Sequence, residues 1–205
     1  MQFLLLTMKT ISAALFLLAF LTFPGFGQKL IGAGGYTRVG EKSFTGAPAA
    51  GMHVVLPLGR RLVVGIGSTV ARNRQPYQEF VPDFDFTGGG RTITEYHNFL
   101  YSIQVVVAPR LKLVPRLEAV LGPSAGLYVV GSRERTDEIR AGFGLWSGLT
   151  YQQLWGSRFN LEALFHPRIL RPNLPVEDAN FRFDGQHLFV WDAQIGISYN
   201  LRKQP

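Results

Sequence analysis

The sequence predicts an all-β protein: an eight-stranded antiparallel up-and-down transmembrane β-barrel, preceded by a helical signal peptide. Three features support this prediction: an apolar stretch near the N-terminus, long segments in which apolar and polar residues alternate, and connections that alternate between long and short. Successive side chains of a strand point to opposite faces, so alternation with a period of two indicates a strand with one apolar face.

The N-terminal segment, residues 1–27, is predicted to be a signal peptide. Lys9 supplies a positive charge and residues 11–23 form an apolar stretch, which ends in a helix break and small residues. This pattern places cleavage before Gln28 and leaves residues 28–205 as an outer-membrane barrel domain. The mature protein is therefore predicted to be one domain.

Two alternatives concern this N-terminal segment. The residues before Met8 carry no positive charge, so translation from Met8 instead of Met1 is one alternative. An uncleaved membrane anchor is the other, although the apolar stretch is short for a spanning helix and ends in residues typical of cleavage.

Eight strands are predicted from the alternation in the mature chain. Their approximate ranges are 29–37, 49–58, 61–71, 96–108, 116–131, 139–152, 158–167 and 187–201. The last strand alternates strictly, with Ile195 and Ile197 on its apolar face and Gln194 and Gly196 on its polar face. It exceeds the average soluble strand of about 5–6 residues and provides the about 9–11 residues that a tilted transmembrane strand needs.

The connections between the predicted strands alternate in length. Four are predicted to be loops, at 38–48, 72–95, 132–138 and 168–186, and three are predicted to be tight links, at 57–60, 109–115 and 153–157. Both chain ends fall on the side of the tight links. Outer-membrane barrels combine short periplasmic turns with longer external loops and an even strand number, so both termini are predicted to be periplasmic.

The polar faces of the strands predict a network of charged and amide side chains in the lumen. Its predicted members are Arg116, Glu118, Arg140, Glu162, Asp192 and Gln194, together with Gln104 and Asn160. Carboxylates in a narrow lumen need partners, because removal of an ion from water costs roughly several kcal/mol. The two arginines are the cations predicted for the three acids, while the choice of partner depends on the stagger of the barrel. Such a network would plug the lumen.

The long predicted loop at 72–95 holds several aromatic residues. Tyr77, Phe80, Phe84 and Phe86 are candidate contact residues for a partner, since loops on rigid barrels often hold the functional residues. The alternative is that these aromatic side chains pack on one another as a small core within the loop.

Composition excludes several kinds of site. The chain has no Cys, which rules out disulfides and thiolate metal sites. Its formal net charge is +7, but the basic residues are scattered, so no nucleic-acid partner is predicted. No two of the four histidines have close ligand spacing, so neither a metal nor a cofactor is predicted. No catalytic residue is predicted either, because His97 and Ser102 share neither spacing nor face and no other nucleophile–base pair stands out.

The signal peptide, the amphipathic strands, the alternating connections and the terminal strand QIGISYNL resemble the small outer-membrane barrels of the OmpA/OmpX class. The signal peptide that ends in FGQ is also similar to those of PorT-like outer-membrane barrels of Bacteroidota. The terminal Phe usual in these barrels is absent, since Tyr199 and Leu201 are followed by Arg202, Lys203, Gln204 and Pro205.

This resemblance implies an integral protein of the outer membrane with a structural, interaction or adhesion role through its external loops. The implied partners are outer-membrane lipid, the barrel assembly machinery and another envelope protein. Three alternatives stay open at this point: a lipid-modifying acyltransferase or deacylase, a narrow pore, and a secreted soluble barrel.

Overall fold

Eight antiparallel strands, each paired with its neighbour in the sequence, close into a barrel. In chain order the strands are β1 Lys29–Val39, β2 Ala47–Leu58, β3 Leu62–Pro82, β4 Gly90–Val114, β5 Leu117–Ser132, β6 Arg135–Tyr151, β7 Phe159–Leu170 and β8 Leu188–Asn200. The first strand pairs with the last along its whole length, so the closed wall has no free strand edge. The predicted eight-stranded up-and-down barrel is therefore confirmed.

The computed structural model describes residues 28–201 apart from 41–45, 83–89, 133–134, 155–157 and 172–186. The predicted signal peptide lies outside the described residues and stays a prediction. Within the described part of the chain, no helix is long and apolar enough to cross a membrane.

The two ends of the barrel differ. The links 59–61 and 115–116, residues 152–154 and 158, and both ends of the described chain lie at one end, the short-turn end. The remaining strand ends lie at the opposite end, the long-loop end: Val39 and Ala47, Pro82 and Gly90, Ser132 and Arg135, and Leu170 and Leu188. At the short-turn end, Gly59 has a φ of 71°, a left-handed conformation that favours glycine.

The barrel has a stagger, or shear number, of ten residues. A path through directly opposed residues that starts at Lys29 and goes once around the wall returns to β1 at Val39, ten residues farther along the strand. The chain of opposed residues is Lys29, Val55, Gly65, Val106, Ser124, Gly144, Arg168, Val190 and Val39. Strand number and stagger together fix the tilt and the width of a barrel. They therefore decide which side chains meet inside it.

The predicted loop at 72–95 is wrong, since most of it is strand. β2 pairs with β3 only as far as Ala71, but β3 and β4 stay paired with each other up to Pro82 and Gly90. Residues 72–82 and 90–97 therefore form a two-stranded extension beyond the wall, which we call the β3–β4 ribbon. At about 3.4 Å per residue, its β3 arm is roughly 35 Å long.

Two further connections are also shorter than predicted. The predicted loop at 132–138 is wrong, because β5 runs to Ser132 and β6 begins at Arg135. The predicted link at 109–115 is mostly strand, because β4 continues to Val114. In both places backbone pairing extends past the apolar alternation, since backbone hydrogen bonds do not require an apolar side chain.

The interior is divided into layers of different polarity. One apolar layer near the long-loop end consists of Val39, Ala47, Ala49, Ala71, Leu100, Tyr128, Val130, Leu170, Leu188 and Val190. A second, nearer the short-turn end, consists of Ile31, Ala33, Val55, Val63, Val106, Ala108, Trp146 and Leu164. Polar side chains lie between the two layers and at the short-turn mouth, and these two polar groups form the candidate site.

Candidate functional site

The outer surface of the barrel is apolar. On β8, Ile195 is 68% exposed and Ile197 is 53% exposed, whereas the neighbouring Gln194 is only 5% exposed. A similar arrangement holds on most of the other strands, where exposed leucine, valine and phenylalanine side chains alternate with buried residues. An apolar patch that surrounds a whole barrel is far larger than the patches of soluble monomers. Such a surface suits the acyl chains of a lipid bilayer.

Aromatic pairs mark both borders of this apolar surface. The ring centroids of Phe159 and Tyr199 are 5.1 Å apart near the short-turn end. Those of Tyr36 and Trp191 are 6.3 Å apart toward the long-loop end. Aromatic side chains at two levels are typical of the girdles that lie at the headgroups of a membrane.

Glu162 is the centre of the polar group at the short-turn mouth. This carboxylate is buried and accepts hydrogen bonds from Lys29 Nζ at 2.8 Å and from Thr150 Oγ1 at 2.7 Å. Ser198 Oγ donates a third hydrogen bond at 2.5 Å and accepts one from Asn160 Nδ2 at 3.0 Å. The carboxylate is therefore paired with a cation and surrounded by donors, as a buried charge requires.

A second ion pair lies at the same mouth. Arg110 Nε donates to one carboxylate oxygen of Glu118 at 2.8 Å, and Arg110 Nη2 donates to the other at 2.5 Å. This is a bidentate pair, in which two parallel hydrogen bonds add both strength and geometric specificity. Both acids at the short-turn mouth are thus neutralised, Glu118 by a cation of the neighbouring strand β4 and Glu162 by Lys29 of β1, which is separated from β7 by β8.

Arg168 and Asp192 form the ion pair between the two apolar layers. Both terminal nitrogens of Arg168 donate to the Asp192 carboxylate, and Thr37 Oγ1 donates to the same group at 2.5 Å. The Arg168 guanidinium also lies over the Tyr128 ring, 4.9 Å from its centroid. These side chains are buried and extend from β7 and β8 toward β5, so they block the lumen at this level.

Glycines of β6 leave room for these large side chains. A Cβ atom added to Gly142 would lie 2.5 Å from the Tyr128 ring, and one added to Gly144 would lie 2.7 Å from Arg168 Cβ. Real Cβ atoms do not come so close, so any larger residue here would displace these side chains or the neighbouring backbone of β7. The sequence places glycines where the interior side chains cross.

A serine and a histidine are also in contact in this layer, which sequence reasoning did not find. Ser124 Oγ lies 2.7 Å from His166 Nε2, and Arg168 Nη1 lies 3.0 Å from His166 Nδ1. Arginine is always protonated and only donates, so Nδ1 must accept and Nε2 must hold the proton. His166 therefore donates to Ser124, which is the reverse of the proton transfer that activates a serine nucleophile.

The structure brings three predicted acids of the network, Glu118, Glu162 and Asp192, to the inward side of the wall. The ion pairs described for these acids do not use the predicted arginines. Arg116 is exposed in the 115–116 link, and Arg140 is buried on β6. The cations in these ion pairs are instead Lys29, Arg110 and Arg168.

Each missed cation has a physical reason. Lys29 begins the glycine-rich first strand, whose two faces the sequence does not distinguish. Arg110 falls in a predicted link and Arg168 in a predicted loop, whereas both are in strands. If the period-two alternation is continued two or three residues past the last apolar residues of the predicted strands, Arg110 and Arg168 fall on the inward face.

The predicted contact residues lie in or near the β3–β4 ribbon. Tyr77 and Phe80 are part of β3, beyond the last residue that pairs with β2. Phe84 and Phe86 lie outside the described residues. Their role as contact residues stays a prediction.

Among the described residues, no group of three histidine, aspartate or glutamate side chains is arranged to hold a metal ion. Charged groups of the lumen are instead paired with one another, as in the Lys29–Glu162 and Arg168–Asp192 contacts. The arrangement is chemically suited to fill and stiffen the barrel.

Two solved structures share the architecture of this barrel. Neisserial surface protein A is similar with a TM-score of 0.60 and 11% identity, over 85% of this chain and 97% of that chain. A major outer membrane protein from Thermus thermophilus is similar with a TM-score of 0.52 and 13% identity, over 86% of this chain and all of that chain, 100%. The chain has the fold of the small outer-membrane barrels.

The resemblance to the OmpA/OmpX class of barrels is therefore confirmed at the level of the fold. No protein-family model matches the sequence, and no curated protein matches it. The resemblance to PorT-like barrels stays a prediction. These two similar proteins are named as a surface protein and an outer membrane protein.

Proposed function

We propose that the protein is an integral outer-membrane barrel that acts as a rigid anchor for the β3–β4 ribbon, through which it adheres to or binds another molecule. The apolar outer surface supports insertion into lipid. In this proposal both termini face the periplasm, and the ribbon extends outward from the cell. The partners of the barrel itself are outer-membrane lipid and the barrel assembly machinery.

The observation that supports the proposal best is the contrast between the wall and the ribbon. The lumen holds paired charges such as Arg168–Asp192 together with two apolar layers, so it is poorly suited to pass solutes. The ribbon, by contrast, projects roughly 35 Å at about 3.4 Å per residue and presents two strands that have no further neighbours among the described residues. Unpaired strand edges are surfaces to which a partner strand binds.

No catalytic role belongs to this proposal. The Ser124–His166 contact is buried, and its hydrogen-bond direction leaves the serine without a base. A fluorophosphonate probe, which reacts with activated serines, is therefore expected to leave Ser124 unmodified in the folded protein.

Removal of the ribbon tests the proposal. Asn73 and Asn98 are directly opposed in the β3–β4 pairing, so residues 74–97 can be replaced by an Asn-Gly turn, which suits a two-residue hairpin. The variant is expected to reach the outer membrane and to keep heat-dependent gel mobility, because the wall is unchanged. Cells that express it should lose the adhesion, or the cross-links to envelope proteins, that cells with the intact protein show.

A control variant exchanges the ribbon for an unrelated hairpin of equal length. Loss of adhesion in this control, as in the deletion, would assign binding to the ribbon's own residues. Unchanged adhesion and cross-linking after deletion would contradict the proposal. A protein that fractionates as soluble would contradict the membrane location itself.

A further inference from the structure

The short-turn end carries a ring of exposed basic side chains. Each of the three links at this end supplies at least one, and the end of β4 supplies another. The members of this group, called the basic rim, are Arg60, Arg61, Lys112, Arg116 and Arg158. The rim is thus built from every connection at this end of the barrel.

The positive charge of the rim is not balanced by acids at the same end. Among the described residues there, the acids are Glu118 and Glu162, and each is already paired with its own cation inside the mouth. Glu162 is fully enclosed and Glu118 is mostly so. Lys112 lies opposite Glu118 in the β4–β5 pairing, but Glu118 is already bound by Arg110. The other four rim cations are exposed in the turns.

Exposed apolar side chains lie directly beside these cations. Leu111, Leu113 and Val114 are 53%, 52% and 55% exposed and flank Lys112. The Phe159–Tyr199 pair lies next to Arg158 in the same way. Basic groups interleaved with apolar and aromatic side chains are typical of surfaces that lie at a membrane interface, where stems contact acyl chains and charged groups reach the headgroups.

We propose that the basic rim binds the phosphate groups of anionic glycerophospholipids in the leaflet at the short-turn end of the barrel, an inference that rests on the proposed membrane location. The planar guanidinium group matches phosphate oxygens in pairs. Positive clusters beside a membrane also attract anionic lipid. An acidic protein would match the charge but would leave the interleaved apolar side chains without a contact.

The test uses the full-length protein in nanodiscs made of phosphatidylcholine and phosphatidylglycerol in equal amounts. Native mass spectrometry then measures which lipids stay bound. A single cation near an anionic surface contributes about a fivefold preference, so the lipids retained by the intact protein are expected to be enriched at least about fivefold in phosphatidylglycerol. The enrichment should decrease as salt is raised, because salt screens exposed charges.

Two matched triple variants locate the preference. The rim variant is R60Q/R116Q/R158Q, and the control variant is R38Q/R72Q/R171Q, which removes the same charge from exposed positions at the long-loop end. Enrichment is expected to fall toward the bulk ratio in the rim variant and to persist in the control. Heat-dependent gel mobility verifies that both variants are folded.

Three results would overturn the inference: no enrichment in the intact protein, equal loss in both variants, or capture of an acidic protein without any lipid preference. The test distinguishes failure of the lipid-binding proposal for the basic rim from failure of the proposed membrane location. A protein that inserts into nanodiscs without selecting lipids contradicts only the rim, whereas a protein that does not insert contradicts the membrane location and the rim together.

Discussion

Arg168 illustrates how single residues hold the interior together. The residue is 1% exposed, and its side chain pairs with Asp192, contacts His166 and lies over Tyr128. Three of the groups that fill the middle of the lumen therefore depend on one cation. A residue with so many buried contacts is costly to replace, since Asp192 and His166 each lose a donor in a place that water does not easily reach.

We predict that Arg168→Met lowers the free energy of unfolding by about 3–5 kcal/mol, because Asp192 would stay buried without its cation. Urea unfolding in lipid vesicles, followed by tryptophan fluorescence, measures the change. Arg116→Met is the matched control and should change stability by less than about 0.5 kcal/mol, because Arg116 is exposed.

A double variant, R168M/D192L, removes both charges and should recover much of the lost stability. If the single variant at Arg168 is as stable as the control, the ion pair contributes no net stability, and the description of the interior as tightly paired is wrong.

At the scale of the strand, the sequence predicts which side chains of β8 point inward and outward, but it does not predict which cation pairs with each buried acid. The inward and outward sides of β8 follow from its period of two, and the exposure of Ile195 and Gln194 confirms them. The partner of each acid was not predictable, because it depends on the ten-residue stagger, and stagger comes from backbone pairing around the entire wall. The ribbon was missed for a related reason, as its paired residues lack the apolar alternation that marks a strand against lipid.

A prediction at this scale concerns the lipid-facing side of β8. An arginine at position 195 would lie among acyl chains, so Ile195→Arg should cost about 2–4 kcal/mol near the bilayer midplane. Ile195→Leu is the control and should be almost neutral. The yield of folded protein in vesicles and its urea midpoint measure both effects.

Cysteine labelling provides a second readout of the faces of β8, because the natural chain contains no Cys. A lipid-soluble maleimide should label a cysteine at position 195 and should leave one at position 194 unlabelled. Equal labelling at both positions, or labelling at position 194 alone, would show that the assignment of faces is wrong.

For the whole molecule, the layered interior predicts how the barrel behaves as a pore. The apolar layer that contains Trp146 and Leu164 lies on the short-turn side of the Arg168–Asp192 pair, and the other apolar layer lies on its long-loop side. We therefore expect no large, steady conductance when the intact protein is placed in a planar bilayer. A stable open channel of the unmodified protein would contradict a filled lumen and favour transport.

The length of the mature protein is a separate prediction for the whole molecule. If residues 1–27 are a signal peptide, the protein extracted from membranes should begin at Gln28. Intact mass spectrometry measures this directly and also detects the cyclised form of an N-terminal glutamine. A mass that includes residues 11–23 would indicate an uncleaved anchor instead.

The two ends of the barrel chain lie side by side in the wall, so they are close enough to be joined covalently. The backbone N–H of Leu201 donates to the Gln28 carbonyl at 2.9 Å, so start and finish are neighbours in the wall. A short linker from Leu201 to Gln28 would therefore give a circular polypeptide with the same barrel wall, and this polypeptide could be opened at a different turn. A permutant reopened in the 115–116 link is expected to fold into the same barrel, with the same heat-dependent gel mobility, because every strand keeps both of its neighbours.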